Sequence, residues 1–152
     1  EEQVEVLRKL WTQPLVTHRS DRFVIDNAGL NPMPVQRPIP IWFGGWREPA
    51  LKRAGRLGDG WLAGGRPPDD LMKRSIELLH TSLEEAGRDP NNFGIDPWIS
   101  VQGLNKEEWH RRVQAWRARG ATHAAVDTMR AGFTSPQAHI DAIRSFRELL
   151  GS

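Results

Sequence analysis

Two glycine pairs, each followed closely by an arginine, are the residues of this 152-residue chain best suited to holding an anion. The first group is Gly44, Gly45 and Arg47, and the second is Gly64, Gly65 and Arg66. Glycine lets backbone N–H groups approach a ligand closely, and arginine adds a permanent charge whose donors match a phosphate. The spacing is neither GxGxxG nor a P-loop. A tight turn therefore remains the alternative explanation for each pair.

Tryptophan side chains lie close to both glycine pairs in the sequence. The chain has seven Trp and no Tyr, and Trp42, Trp46 and Trp61 fall in the same stretch. Their flat surfaces are suited to an aromatic ring, but tryptophan on a strand also fills the protein core. The sequence leaves both roles open.

Four strand–helix units are predicted to position these residues. Short apolar runs indicate strands near residues 39–44, 60–63, 95–101 and 122–127. Helix starts are indicated at Pro49, at Asp69 or Asp70, at Asn105 with Glu108, and at Ser135 with Pro136. Such alternation is typical of parallel strands covered by helices. An open doubly wound sheet and part of a closed eight-stranded barrel both satisfy it.

Ligands of such proteins bind at the carboxyl ends of the strands. Gly44 and Gly45 lie at such an end, directly before a helix start whose dipole favours an anion. We therefore predict a phosphate cradle formed by two neighbouring strand ends. Asp127 and Arg130 follow the last strand and are predicted to contact substrate, although a loop cap is an equally good role for the aspartate.

The first 38 residues precede these units. Residues 1–11 are predicted to form a helix with Val4, Leu7 and Trp11 on one face. Residues 12–38 are predicted to hold a short hairpin, pairing 16–18 with 23–25, and then a proline-rich extended segment. The predicted order is thus a helix, an insertion and four strand–helix units over 39–152, in one partial-barrel domain.

Composition argues against several classes of function. The net charge is only +2 and the basic residues are mixed with acids, so a nucleic-acid surface is not expected. No apolar run is long enough to span a membrane, and "EEQVEV" lacks the form of a signal peptide. The chain has no cysteine, and its five histidines show no metal-binding spacing. We expect a cytoplasmic protein without a metal site.

Several segments together resemble one family. "PVQRPIPIWFGGWREPALKRAGRLGDGWL", followed by "EEAGRDP" and "ARGATHAAVD", is similar to the carboxy-terminal half of the bacterial-luciferase-like oxidoreductases. These are flavin-dependent monooxygenases and deazaflavin-dependent dehydrogenases. The resemblance extends over most of the chain, from "LRKLWTQPLV" to the final helix.

The resemblance implies half of a (β/α)₈ TIM barrel, with FMN or the deazaflavin coenzyme F420 at the carboxyl ends of its strands. It implies hydride transfer, or activation of dioxygen, on a small organic substrate. The candidate cofactor-binding residues are Gly44, Gly45, Trp46, Arg47, Gly60, Trp61, Gly64 and Gly65. No residue of this chain is predicted to be catalytic.

A complete barrel of this kind needs about 250 residues. We therefore expect the chain to be a fragment that is inactive alone and pairs with a second copy or with an amino-terminal half barrel. The alternative is a non-catalytic binding or assembly module derived from such a barrel. A small flavodoxin-like domain is a third option, but it begins with a strand, whereas this chain begins with a helix.

Overall fold

The structure is a computed structural model that describes residues 1–151. These residues divide into two compact units, Glu1–Ile41 and residues 42–151. Ser152, the last residue of the predicted single domain, lies outside the described residues. The assignment of 1–152 to one partial-barrel domain stays a prediction.

The first unit contains a helix and a hairpin. Its elements are α1 (Glu2–Thr12), β1 (Val16–Arg19) and β2 (Val24–Ala28), with β1 and β2 antiparallel. The hairpin forms as predicted, but β2 begins one residue later, because the Ser20 hydroxyl accepts from the Phe23 N–H and extends the turn. The face predicted for α1 is wrong in part: Val6 is buried, whereas Leu7 is 42% exposed.

The second unit holds the four strand–helix units. They are β3 (Trp42–Gly44) with α2 (Glu48–Leu57), β4 (Gly60–Gly64) with α3 (Asp70–Glu85), β5 (Gly94–Ser100) with α4 (Lys106–Arg117), and β6 (Ala125–Asp127) with α5 (Pro136–Leu150). A short 3₁₀ turn, Pro90–Asn92, precedes β5. The four strands are parallel and pair in sequential order, which confirms the predicted arrangement.

The helices begin where their capping residues predict. Asp69 accepts from the Met72 N–H at the start of α3, and Ser135 accepts from the Ala138 N–H at the start of α5. Asn105 forms a complete capping box at the start of α4. Each cap satisfies an N–H group that has no partner within its helix.

Two strands are shorter than predicted, for local reasons. Residues 39–41 are not part of β3, since Pro40 has no N–H to donate to a ladder. Residues 122–124 are not part of β6. Instead, the N–H groups of Thr122 and His123 both donate to the Ile95 carbonyl at 3.1 Å, and the Thr122 hydroxyl accepts from the Ile95 N–H. The chain is thus tied to β5 before regular pairing starts.

The main core lies between the sheet and its helices. One face of β4 and β5 contributes Trp61, Ala63, Ile95 and Ile99, all at most 2% exposed. The helices cover this face with Leu51, Ala54, Met72, Leu79, Leu83, Val113, Trp116 and Phe146. Close contact of α2 with α3 depends on Gly55, where a Cβ atom would lie 2.7 Å from the Ser82 Cβ. This packing holds the strand ends in place.

The spacing of Ile140, Ile143, Phe146 and Leu150 predicts that these residues of α5 face the core, which is wrong at two positions. Phe146 is buried, but Ile140 and Ile143 are 42% and 46% exposed. The helix packs against α4 through the stripe that contains Ala142 and Phe146, which lie four residues apart. Ile140 and Ile143 face away from that contact, so α5 presents a second apolar face.

The other face of the sheet carries an aromatic floor. The Trp42 ring lies directly over Gly60 and Gly94, where a Cβ atom would overlap it. His123 meets the same ring edge-on, with centroids 4.9 Å apart and planes at 84°. These two glycines leave the space that the indole occupies at the amino-terminal end of the sheet.

We predict that Gly94→Ala destabilises the protein by about 1–3 kcal/mol, because the new methyl group displaces the Trp42 ring. Denaturant unfolding of the purified protein measures this loss. Gly44→Ala is the matched control on the same sheet, since no atom lies within 4 Å of a Cβ built there. Equal unfolding midpoints for the two variants would show that Trp42 adapts without cost.

Candidate functional site

The carboxyl ends of β3 and β4 form two similar loops side by side. The strands pair in register up to Gly44 and Leu62, so the loops that follow them are neighbours. Gly45 and Gly64 have φ angles of 95° and 74°, a conformation that glycine adopts without strain. No atom lies within 4 Å of a Cβ built on Gly44 or Gly64. The backbone of both loops is therefore open to a close-lying ligand.

Trp61 fixes the first loop from inside the core. Its side chain is fully buried, and its Nε1–H donates to the Gly45 carbonyl at 2.7 Å. The structure thus places the Trp61 ring in the core, and contact of this residue with the cofactor stays a prediction. The carbonyl and N–H of a trans peptide point in opposite directions, so the Trp46 N–H points away from Trp61. The core hydrogen bond thus aims a backbone donor outward.

The amino terminus of α2 follows directly. Arg47 is its N-cap residue and is exposed, and it forms no side-chain capping bond. Glu48 in the first turn is paired with Lys52 at 2.7 Å, and this hydrogen bond lowers the pKa of the Glu48 carboxyl. The acid is thus charged but neutralised by its partner. The helix dipole and Arg47 keep the region favourable to an anion.

Arg66 reaches from the second loop to the first. Its guanidinium carbon lies 4.7 Å from the centroid of the Trp46 ring, which is 45% exposed. The Arg66 Nε is buried without a hydrogen-bond partner in residues 1–151. Two of the three tryptophans of the stretch thus differ: Trp61 belongs to the core, and Trp46 to the surface of the loops.

Gly60 does not lie at the two loops, and Gly65 lies at the edge of the second loop. Gly60 is the first residue of β4 and lies under the Trp42 ring, and its contact with the cofactor stays a prediction. Gly65 follows Gly64 in the second loop, where a Cβ would lie 3.9 Å from the Trp98 carbonyl oxygen. The candidate cradle thus comprises residues 44–47 and 64–66.

Asp127 and Arg130 lie at the end of β6, which β4 and β5 separate from β3. The Asp127 carboxylate accepts from the Met129 N–H at 2.8 Å, so it caps the turn that follows its strand. Arg130 is exposed and has a φ angle of 57°. The structure does not bring this pair together with the glycine loops, and its contact with substrate stays a prediction.

Two residues on β5 were missed by the sequence interpretation. Ile95, Pro97 and Ile99 face the core, so Asp96 and Trp98 lie on the opposite face of the sheet. Burial raises the pKa of the Asp96 carboxyl, against the opposing effects of the His123 charge and the Ala125 N–H. Its Oδ1 is buried and has no partner in the described chain. The period-two pattern of "IDPWIS" is the signal that would have found both.

Over residues 1–151, no group of three or more acidic, His or Cys residues is arranged to hold a metal ion. Within the same range, no helix is long and apolar enough to cross a membrane. The chemistry that the two loops can perform is binding of an anion by backbone donors and arginine.

We predict that Trp61→Phe weakens anion binding at the loops by removing the hydrogen bond that orients the Trp46 N–H. Titration of the ¹⁵N-labelled natural protein with inorganic phosphate should shift the Trp46 amide signal, and this shift should shrink or disappear in the variant. Trp116→Phe is the matched control, because Trp116 is a buried tryptophan of α4. An unchanged Trp46 shift in folded Trp61→Phe would refute the orienting role.

Comparison with known proteins gives a consistent result. Residues 1–132 match the family model described as luciferase-like monooxygenase. An uncharacterized protein of Mycobacterium tuberculosis is 39% identical over 88 residues, which cover 58% of this chain and 30% of that protein. The F420-dependent glucose-6-phosphate dehydrogenase of Nakamurella multipartita is 31% identical over 88 residues, 57% of this chain and 26% of that protein.

Solved structures show the same fold at low sequence identity. An F420-dependent secondary alcohol dehydrogenase in complex with an F420–acetone adduct has a TM-score of 0.60 at 22% identity, over 97% of this chain and 52% of that one. A riboflavin lyase with modified FMN and riboflavin has a TM-score of 0.56 at 18% identity, over 76% of this chain and 30% of that one. The chain spans less than a third of the length of the curated relatives described above and about half of the dehydrogenase structure. The predicted α/β half-barrel fold is confirmed.

Proposed function

Because the chain belongs to the luciferase-like monooxygenase family, we propose that it forms the carboxy-terminal half of an oxidoreductase barrel that uses F420 or FMN. The names of the relatives support this choice of cofactors, since they include F420-dependent dehydrogenases and an FMN-bound lyase. The observation that carries the proposal is the pair of open glycine loops at adjacent strand ends, with Arg66 between them.

The residues of the two loops fit the phosphate group that both cofactors carry. The open space at Gly44 admits the group, and the outward Trp46 N–H and the start of α2 supply donors. Arg47 adds charge beside the first loop, and the second glycine pair opens the backbone of the other loop. When bound, the cofactor accepts or delivers a hydride, or in its reduced form activates dioxygen. The part of this chain is to bind and orient it.

In this proposal, the substrate binds at the edge of the sheet that β6 forms. A small organic molecule would approach the strand ends near β6, where Asp127 and Arg130 offer a carboxylate and an exposed charge. Asp127 already caps a turn, so it acts mainly by holding that loop in shape. No residue of the chain is assigned as the catalytic acid or base, and a cytoplasmic location stays a prediction.

The absorbance spectrum of the purified natural protein tests the proposed function, since bound flavin and bound deazaflavin absorb differently. A spectrum of either kind that is lost on denaturation supports it. If neither F420 nor FMN binds, the proposal fails and the alternative of a non-catalytic binding or assembly module is favoured. An open reading frame that extends upstream by about half a barrel would favour the enzyme.

We predict that these 152 residues, produced alone, are inactive and associate as a dimer or larger oligomer, unless an amino-terminal half barrel is added. Trp98 on the sheet face and Ile140 and Ile143 on α5 leave apolar surface exposed, and extensive surface of this kind marks an interface. Sedimentation velocity at micromolar concentration measures association. A monomer that stays compact at this concentration would contradict the prediction.

We also predict that Gly45→Val weakens cofactor binding at least about tenfold, while the protein stays folded. A branched side chain is strained at this positive φ and would crowd Ala50, whose Cβ lies 3.2 Å from the position of the new Cβ. Loss of one charge-assisted hydrogen bond costs about 1.5–3 kcal/mol. Fluorescence titration of the natural protein with F420 or FMN measures the change.

Gly120→Val is the control for Gly45→Val. Gly120 also has a positive φ, 86°, and no atom lies within 4 Å of its Cβ position, but it follows α4, away from the loops. The control should share the backbone strain and keep cofactor affinity. If folded Gly45→Val bound cofactor as tightly as this control, the glycine pair would be only a turn.

A further inference from the structure

Arg66 differs from the other arginine of the cradle in how its side chain is held. Its guanidinium group lies over the Trp46 ring, so it joins the loop after β4 to the loop after β3. Arg47 is exposed, and its documented role is that of the α2 N-cap, through its backbone carbonyl. An arginine that is already ordered loses less side-chain entropy when it binds a ligand than a free one does.

The stacking geometry also decides which donors of Arg66 remain available. The five N–H donors of a guanidinium group lie in its plane, whereas contact with an aromatic ring uses its face. Contact with the Trp46 ring therefore restrains the orientation of the guanidinium plane of Arg66 without using any of its donors. The Nε is buried and unpartnered in the described chain, although buried donors are nearly always hydrogen-bonded. The Arg66 Nε–H therefore needs a hydrogen-bond acceptor, which a bound ligand would supply.

Resting on the proposed function, we propose that Arg66, positioned by Trp46, makes this site select a cofactor that carries a phosphate group over the same ring without phosphate. Arg66 binds phosphate oxygens with the edge of its guanidinium group, beside the outward Trp46 N–H. Arg47 contributes only an exposed charge beside the first loop. Selection by charge thus depends on the second loop, while the glycines of the first loop provide space and backbone donors.

Paired ligands measure the contribution of the phosphate-bearing group, and FMN with riboflavin isolates the phosphate itself. The natural protein is titrated with FMN and riboflavin, and with F420 and its phosphate-free deazariboflavin core, and the ratio of the two dissociation constants in each pair is taken. We expect Arg66→Ala to reduce this ratio about tenfold or more by weakening only the phosphorylated ligand, as loss of a charge-assisted contact would. Arg47→Ala should change the ratio less than about twofold, because exposed charges in water interact weakly.

Variants at the stack separate charge from positioning. Arg66→Lys keeps the charge but loses the planar fork, so the ratio should fall part of the way. Trp46→Phe keeps an aromatic face and should retain most of the selection, whereas Trp46→Leu should reduce it. Rescue by phenylalanine but not by leucine is a result that a purely structural role for Trp46 would not produce.

The outcomes distinguish failure of the role of Arg66 from failure of the proposed function. If Arg66→Ala leaves the ratio unchanged, or weakens both members of a pair equally, the role of Arg66 is refuted while the proposed function stands. A larger loss with Arg47→Ala than with Arg66→Ala would likewise refute it. If the natural protein binds neither member of either pair, the proposed function and this inference both fail. Binding of both members with equal affinity would refute the inference and leave cofactor-ring binding in place.

Discussion

The hydrogen bond from the Trp61 indole to the Gly45 carbonyl connects the core of the second unit to its strand-end loops. Trp61 lies among the fully buried residues that α2 and α3 cover, so its position is set by packing and not by the loop. Gly45 has a positive φ and depends on an external contact for its orientation. A core residue thus determines which way a surface peptide faces. Without this bond, the open space at Gly44 would carry no aimed donor.

The two faces of the sheet serve different purposes, and glycine permits both. On the helix side of the sheet, Gly55 lets α2 approach α3 closely. On the opposite side, Gly60 and Gly94 accept the Trp42 ring at the amino-terminal end. Only at the carboxyl end do Gly44 and Gly64 remain uncovered. Glycines of similar appearance in the sequence are therefore structural at one end of the sheet and available to a ligand at the other.

This division explains how much the sequence could predict. Order and direction of the strands followed from alternation of apolar runs with capped helices, signals that are local and strong at Asp69, Asn105 and Ser135. Strand limits were predicted less accurately. Pro40 has no N–H to donate to a neighbouring strand, and the Thr122 hydroxyl accepts from the N–H of Ile95, which is distant in the sequence. Local pattern alone does not contain such contacts.

The candidate site was predicted in part for the same reason. Gly44, Gly45 and Arg47 were recognised because position at a strand end is a property of the sequence order. Burial of Trp61 and the ring above Gly60 depend on which face of a strand each residue occupies. A five-residue strand such as β4, with three apolar residues in a row, does not reveal its faces. The alternation in β5 did reveal them, and reading it would have identified Asp96 and Trp98.

The candidate cradle is formed by the loops after two adjacent strands, β3 and β4. Residues 44–47 and 64–66 come from neighbouring loops, and their orientation depends on Trp61 and Trp46 within the same unit. In the proposed enzyme, all the residues assigned to the phosphate therefore lie in this half of the fold. The aromatic and polar face made by Asp96 and Trp98 is different, because it lies on the side of the sheet that the helices leave open. A closed barrel would bring further strands to that face. In the proposed enzyme, binding of the phosphate and enclosure of the reactive ring are consequently tasks of different halves, and the first is the task that this chain can perform.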